Sequence, residues 1–245
     1  MLQFMNQIWK SFFDSNKIFK LKENIWKAGD VGPYGYCTEI FYDTGSGILN
    51  FQDEERYLEI ANIVFIENYF DGKKTNKLNF CIDAGMGLER LQRIKEKVDD
   101  NYNISFFRNC LDFLKFKKHS FDTKVFLDHL RSCAFLINNN IFPGSNEKEF
   151  VLRKLIRRFL KSFFSFENLN FDKTVFQILK YWQSFYDDIV FDIDLIQKVL
   201  NEEKFMFEKV LNNGLNKFNS FIENKRISAN NLFLLHDTYG FPIEL

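Results

Sequence analysis

The sequence predicts an α+β protein in which a sheet-containing first part is followed by an all-helical second part. Three segments of the first part have the β-branched, aromatic or alternating patterns of strands: 37–43, 57–66 and 79–83. From about residue 105 nearly every window fits the 3.6-residue helical period. The change falls near residue 100, so we expect one domain at 1–100 and a second at 101–245.

The chain opens with a predicted amphipathic helix and then a predicted loop. Apolar side chains recur at helical spacing over residues 2–13, which places Trp9 in the expected core. Glycine and proline are frequent over residues 23–35, and they exclude a regular element there. We therefore expect a long loop that contains Trp26.

The segment 57–66 is β-branched and aromatic enough to form a central strand, although periodicity alone leaves a helix open. Asn62 is unusual within it, because a polar amide in an apolar strand must find hydrogen-bond partners. Either Asn62 is a satisfied core asparagine or it has a function. Asp71-Gly72 then predicts a hairpin turn before the next strand.

The run 79–90 reads as a short buried strand that turns sharply on two glycines and enters a helix near Leu88. Glycine allows close approach to a ligand, a helix N-terminus offers amide donors, and the fork of Arg90 matches phosphate oxygens. Asp83 at the strand end would be the partner of a substrate ammonium. The alternative is an ordinary strand–glycine–helix unit with a solvated Glu89 and Arg90.

Helices are predicted throughout the second part, at 105–117, 122–138, 148–165, 172–190 and 192–223. The helix that begins near Glu147 has five cations in nine residues at spacings of three and four: Arg153, Lys154, Arg157, Arg158 and Lys161. This basic stripe is either a solvated helix face or a track for a phosphate backbone. The preceding loop, 143–147, would place a polar side chain beside the same surface.

Composition limits the classes of function. Thirty-three basic and 33 acidic residues leave no net charge, so any contact with nucleic acid must come from a local basic face. The four cysteines are too widely spaced for a thiolate-pair metal site, and a reducing environment is expected. No apolar run approaches the roughly 18 residues that span a membrane, and no secretory leader is recognisable. We expect a cytoplasmic protein without a membrane partner.

In five ordered stretches the chain resembles the alanyl-tRNA synthetases, a family of class II aminoacyl-tRNA synthetases. The stretch 83–90, Asp-Ala-Gly-Met-Gly-Leu-Glu-Arg, is similar to the third signature motif of class II enzymes. The other four narrow the likeness to the alanine family: 26–40, with Trp-Lys-Ala-Gly-Asp-Val-Gly-Pro and Cys-Thr-Glu-Ile; 59–65, Glu-Ile-Ala-Asn-Ile-Val-Phe; 128–137, Asp-His-Leu-Arg-Ser-Cys-Ala-Phe-Leu-Ile; and 237–242, Asp-Thr-Tyr-Gly-Phe-Pro.

The resemblance implies that alanine and ATP form alanyl-adenylate and that the alanyl group then passes to tRNA(Ala). By this likeness Arg90 and Asp83 act in activation: Arg90 holds the γ-phosphate of ATP, with Mg²⁺ neutralising the phosphates, and Asp83 pairs with the alanine ammonium. Gly87 and Glu89 belong to the same ATP-binding motif. The alanine pocket would be formed by Trp26, Asn62, Val64, Asp83 and Gly85, which assigns Asn62 a function. No structural zinc is expected.

The helical part is similar to the region of the family that reads a G·U pair in the tRNA acceptor stem. The wide, shallow minor groove of RNA exposes the exocyclic amine of a wobble guanine, which a short amide can recognise. Asn146 is the candidate for this contact. The cations Arg153, Lys154, Arg157 and Arg158 would contact phosphates.

The chain departs from the family pattern before Trp26, where only 25 residues stand and no Arg-x-Glu strand motif occurs among them. The family's second motif supplies the arginine that grips the α-phosphate. We therefore expect activation to need a missing or separately encoded N-terminal synthetase half. The alternatives are a non-catalytic acceptor-stem binding module with a relict adenylate pocket, and a gene product too incomplete to fold stably.

Overall fold

The computed structural model describes residues 2–20, 24–45, 56–115, 120–223 and 228–237. The chain divides into two compact units, Met1–Ile104 and Ser105–Leu245. A four-stranded antiparallel sheet belongs to the first unit, and the described regular structure of the second is helical. The predicted α+β class is confirmed.

The sheet of the first unit has the strand order β1-β2-β3-β4, and every neighbouring pair is antiparallel. The strands are β1 (Ile25–Lys27), β2 (Gly32–Asp43), β3 (Tyr57–Phe70) and β4 (Thr75–Met86). The strand predicted from the ambiguous segment 57–66 is confirmed as β3. The hairpin predicted at Asp71-Gly72 is confirmed as well, because Asp71 Oδ1 accepts hydrogen bonds from the amides of Lys73 and Lys74 at 2.9 and 2.8 Å.

The loop predicted at 23–35 is wrong in part, because this segment forms β1, a turn and the start of β2. Trp26 lies in β1 opposite Gly35 of β2. Gly35 is required for close approach and not for a turn, since a Cβ at this position would collide with the carbonyl oxygen of Phe65 on β3. A register shift between Tyr34 and Gly35 marks the same point in the sheet.

The short buried strand predicted before the two glycines is also wrong. It is β4, a strand of 12 residues that is exposed along its whole length. β4 ends the strand order, so one of its edges has no partner strand within the described sheet. Phe80 and Ile82 are 51% and 57% exposed. The helix predicted near Leu88 is confirmed as α2, Leu88–Glu96.

The opening helix, α1, covers Leu2–Trp9 and is shorter than the predicted 2–13. Ser11 Oγ donates to the carbonyl of Ile8 at 2.6 Å, a local bond that competes with helix continuation. Trp9 is half-buried and not a core residue, and its Nε1 donates to Thr38 Oγ1 at 2.8 Å.

The second unit contains the helices α3 (Ser105–Arg108), α4 (Cys110–Leu114), α5 (Phe121–Asn138), α6 (Glu147–Phe164), α7 (Phe171–Gln183), α8 (Ile193–Glu223) and α9 (Ala229–Asp237). The helix predicted at 172–190 is too long. α7 ends at Gln183, whose side chain binds the carbonyls of Tyr186 and Ile189 and the amide of Phe191. These bonds pair backbone groups of the irregular segment that follows Gln183, so those groups do not need the hydrogen bonds of a continued helix.

The core of the second unit lies between α5, α6, α7 and α8. Its fully buried side chains include Phe126, Ile156, Phe159, Trp182 and Leu200. Burial of apolar surface of this extent is the main favourable contribution to the stability of such a unit. Among the helices that the structure describes, none is long and apolar enough to cross a membrane.

Candidate functional site

Strand pairing gathers the residues predicted to form the alanine pocket. Asn62 of β3 lies opposite Gly85 of β4, and Val64 lies opposite Asp83. Because directly paired residues of an antiparallel sheet share a face, and residues two apart on a strand do too, these four positions lie together on one face. Val64 is buried, Asn62 is half-buried, and Asp83 and Gly85 are exposed.

Trp26 lies on the same face, two strands away from β3. It pairs with Gly35, Gly35 pairs with Ile66, and Ile66 is two residues from Val64 along β3. All five predicted alanine-binding residues therefore share one side of the sheet.

Asn62 is only partly satisfied, which argues against an ordinary core asparagine. Its Nδ2 donates to Glu39 Oε1 at 3.5 Å, whereas its buried Oδ1 has no hydrogen-bond partner within the described residues. Cys37 Sγ also donates to Glu39 Oε1, at 4.0 Å. Burial, and to a smaller extent the charge of Glu59, raises the pKa of Glu39. Glu39 and Asn62 are cross-strand partners, so this polar pair belongs to the same face.

Arg90 at the start of α2 is fixed by a residue of β3. Its Nη1 donates to the carbonyl oxygen of Glu59 at 2.7 Å and lies 3.3 Å from Glu59 Oε2. The two side chains are 43% and 38% exposed, so the ion pair is open to solvent. Gly87 permits this position of the arginine, since a Cβ there would lie only 3.0 Å from Arg90 Cδ. Glu89, the remaining polar residue of the predicted ATP motif, is half-buried in the first turn of α2.

Glu39 and Glu59 were not singled out as site residues from the sequence. Each stands in a segment that carries the family likeness, but its role depends on which residue lies across the sheet. Glu39 could have been suspected as a polar residue within an alternating strand. The link between Glu59 and Arg90 joins residues 31 positions apart and leaves no local signal.

No group of three or more His, Cys, Asp or Glu side chains in the described part of the chain could hold a metal ion by itself. Glu39 on β2 and Glu59 on β3 are two acidic residues of the sheet. Their charges interact, because Glu59 contributes to the raised pKa of Glu39.

A cavity of about 780 Å³ lies elsewhere in the first unit, along the part of β2 that follows its pairing with β1. Its lining includes Trp9, Phe13, Phe19, Tyr42 and Tyr57. Of the residues discussed above as candidates, only Glu39 contributes to this lining within the described chain. The cavity therefore borders the predicted alanine pocket without coinciding with it.

In the second unit four of the five cations of the predicted basic stripe divide into two groups. Arg157 Nε donates to Glu203 Oε1 of α8 at 2.7 Å, and Arg153 Nε lies 3.7 Å from Glu203 Oε2. Lys154 and Arg158 are exposed, and Lys154 Nζ lies 4.6 Å from the centre of the Phe150 ring. Two arginines of the stripe thus hold α6 against α8, and the solvated face is narrower than the sequence suggests.

Asn146 occupies the N-cap position of α6 and is exposed. Its side chain makes no capping hydrogen bond, so the amide is not used to terminate the helix. The adjoining Glu147 has a φ of 36°, and the amide of Gly144 donates to the carbonyl of Glu149 at 3.1 Å. Of the stretch 237–242, which carries part of the family likeness, the residues from 238 onward lie outside the described part of the chain.

The comparisons with known proteins agree with one another. The family described as "tRNA synthetases class II (A)" matches residues 4–245. The chain is 36% identical over 241 residues to the alanine–tRNA ligase of Francisella tularensis subsp. novicida (strain U112), covering 91% of this chain and 28% of that protein. It is 35% identical over 241 residues, with the same coverage, to the alanine–tRNA ligase of Francisella philomiragia subsp. philomiragia. The chain spans about 28% of the length of these curated relatives.

Proposed function

Since this chain belongs to the class II tRNA synthetases (A), we propose that it acts in alanine–tRNA ligation, in which alanine is activated with ATP and transferred to tRNA(Ala). The observation that carries the proposal is the shared sheet face. Asp83, Gly85, Asn62, Val64 and Trp26 come from three strands and lie together only because of the register of those strands.

The chemistry of this face suits a small amino acid. The carboxylate of Asp83 binds the ammonium group, and Val64 and Trp26 supply apolar walls. Gly85 leaves open space, because a Cβ there would have no atom within 4 Å. A pocket of this kind selects by excluding bulk, which is worth about 1–3 kcal/mol per methylene. The unsatisfied Oδ1 of Asn62 offers one further acceptor for a donor group of the substrate.

ATP would bind beside this face through Arg90, at the end of the 83–90 motif that also contains Gly87 and Glu89. The guanidinium pairs with Glu59, and binding of the γ-phosphate would exchange that carboxylate for a more highly charged partner. Mg²⁺ would enter as part of the nucleotide substrate.

We propose further that a separate N-terminal synthetase fragment completes the activation site and that the reaction takes place in the cytoplasm. The exposed β4 supports such a partner: its outer edge and apolar side chains such as Phe80 and Ile82 are suited to pairing with another strand.

The helical unit is proposed to bind the acceptor stem of tRNA(Ala). Asn146 supports this role because it is exposed and not used as a cap, so its amide can contact a base edge in the minor groove. The exposed Lys154 and Arg158 on the following helix would contact phosphates, together with the outer atoms of Arg153 and Arg157.

A second candidate function is a non-catalytic acceptor-stem binding module. One observation favours it: Arg90, the predicted γ-phosphate ligand, already has an ion-pair partner, and it is not among the residues that line the cavity along β2. The two functions differ in ATP use. The module binds RNA without activating alanine.

Alanine-dependent exchange of pyrophosphate into ATP tests the proposal directly. The chain is mixed with a family N-terminal fragment that carries the first two class II motifs. We expect exchange that falls at least about 100-fold in Asp83→Asn, since an ion-paired substrate group loses several kcal/mol of binding. Asp112→Asn, an exposed aspartate of the helical unit, is the matched control and leaves exchange unchanged. No exchange from a folded mixture that still binds RNA selects the binding module.

A further inference from the structure

Glu203 on α8 is the one acidic or basic residue that is buried in the described part of the helical unit. It is 7% exposed and lies between two arginines of α6, Arg157 at 2.7 Å and Arg153 at 3.7 Å. A buried carboxylate is costly unless it is paired. One buried carboxylate therefore hydrogen-bonds Arg157 and forms a longer ion pair with Arg153, two of the five cations of the basic stripe.

The atoms used in these contacts leave the ends of both arginines available for another partner. Each arginine faces Glu203 through Nε, the innermost nitrogen of a planar guanidinium. Arg153 Nε is buried, yet its side chain is 33% exposed, so the exposure falls on other atoms of the residue. The Arg157 side chain is 29% exposed, and its guanidinium carbon lies 5.5 Å from the centre of the Phe207 ring, which restricts its orientation further.

The spacing of the two arginines fits a single anionic group. Residues four apart on a helix are neighbours on its surface, with Cβ atoms about 5–6 Å apart. Two guanidinium forks at that separation match the oxygens of a phosphate. Two arginines and one glutamate leave one positive charge, to which the exposed Lys154 and Arg158 add.

We infer that Glu203 is a positioning residue, which holds Arg153 and Arg157 with their terminal nitrogens outward as a paired site for an RNA phosphodiester. This inference rests on the proposed binding of the acceptor stem. It adds a residue that makes no contact with the RNA itself.

The proposal predicts an effect of unusual sign. If the electrostatic contribution came from total charge alone, removal of an acidic side chain would strengthen binding to RNA. If Glu203 positions the arginines, its removal weakens binding. The two guanidinium groups are then less ordered in the unbound chain, and they lose this additional conformational entropy when RNA binds.

Glu203→Gln and Glu202→Gln make a matched pair, since the two residues are adjacent on α8 and Glu202 is exposed. Binding of the full chain to a G·U acceptor-stem hairpin is measured by fluorescence anisotropy between 50 and 200 mM salt, with a thermal melt of each variant. We expect Glu203→Gln to weaken binding roughly 5- to 10-fold and Glu202→Gln to leave it unchanged or up to about twofold tighter. Equal or tighter binding by both variants overturns the inference.

If the Glu203→Gln variant does not melt cooperatively, Arg157→Lys provides the second test of the inference. Lysine keeps the positive charge but cannot donate to Glu203 and present a planar fork at the same time. We expect about fivefold weaker binding at unchanged salt dependence, whereas binding equal to that of the unaltered chain overturns the inference. Absence of RNA binding by the unaltered chain contradicts the proposed function of the helical unit itself, and so the two failures are distinguishable.

Discussion

At the scale of single residues, Gly35 and Gly85 show two different uses of glycine on the same sheet face. A Cβ at Gly35 would collide with the Phe65 carbonyl, whereas a Cβ at Gly85 would meet nothing within 4 Å. The first glycine allows two strands to approach, and the second leaves room above the sheet. Only the second is expected to matter for substrate selection.

Substitution by alanine separates the two uses. We expect Gly35→Ala to destabilise the first unit by about 1–3 kcal/mol, because the added methyl forces the backbone of β2 away from β3. Gly85→Ala is expected to leave the stability of the chain unchanged. It is expected to reduce alanine-dependent pyrophosphate exchange, because the added methyl group occupies part of the proposed alanine pocket. Urea denaturation and pyrophosphate exchange on both variants measure these effects. Equal loss of stability in both would contradict the assignment.

The residues of the candidate site differ in how far the sequence alone could predict them. Asp83 and Arg90 stand in one compact glycine motif, so the sequence alone singles out both of them. Glu203 and Arg157 are 46 positions apart, and nothing local in either helix indicates that they meet. A contact of that kind depends on how helices pack, which periodicity does not specify.

At the scale of elements, the starts of α5 and α6 are built differently. Ser120 caps α5: its Oγ accepts from the amide of Thr123 at 3.2 Å, and its own amide donates to Thr123 Oγ1 at 2.9 Å. Asn146 at the start of α6 makes no such bond. A serine with a structural role can therefore be compared with an asparagine whose side chain is available for binding.

Ser120→Ala is expected to cost about 1 kcal/mol of stability, the usual value of an N-cap, and to leave RNA affinity unchanged. Asn146→Ala is expected to change stability by less than about 0.5 kcal/mol, since no capping bond is lost, and to reduce the preference for a G·U over a G·C stem. Thermal melts and hairpin binding report both quantities. An Asn146→Ala variant that keeps the full preference would remove Asn146 from the recognition site.

The cysteine thiols of the helices and strands differ in burial. Burial raises the pKa of the Cys110 thiol from 9.0 to about 12 and raises that of Cys133 still further, whereas Cys81 on β4 is exposed. We expect N-ethylmaleimide at pH 8 to label Cys81 in the native chain and to reach Cys110 and Cys133 only after denaturation. Mass spectrometry of the labelled peptides tests this, and rapid native labelling of Cys110 would contradict the described packing.

The same shifts make stability depend on alkaline pH. A thiol whose folded pKa is raised is stabilising below its unfolded pKa, and that contribution is lost as pH rises above about 9 towards the folded value. We therefore expect the midpoint of denaturation to be lower at pH 10 than at pH 8. The fall should be smaller in Cys110→Ala, which is the control for other titrating groups.

The sequence predicted whether a segment forms a helix or a strand better than it predicted whether that segment is buried. The helical period identified α5, α6 and α8 because each covers a core with one face. The same reasoning took the apolar run of β4 for a buried strand, although all its residues are exposed. Local composition cannot distinguish an apolar strand that is covered from one at the edge of a sheet, because burial depends on which strands pair.

At the scale of the whole molecule, the two compact units have different proposed tasks. The sheet unit presents residues suited to alanine and ATP on one face and at the start of α2, and the helical unit presents an uncommitted amide and a set of cations suited to an acceptor stem. The family that matches residues 4–245 covers both units.

Charging of tRNA(Ala) with labelled alanine tests this central claim most directly, because it requires both units at once. The chain is mixed with the N-terminal fragment, ATP and magnesium, and tRNA(Ala) carrying either its G·U pair or a G·C replacement is added. The account predicts that alanine is transferred to the G·U tRNA, with a large preference over the G·C form that Asn146→Ala reduces. Absence of transfer from a folded mixture, or equal transfer to both tRNAs, would contradict it.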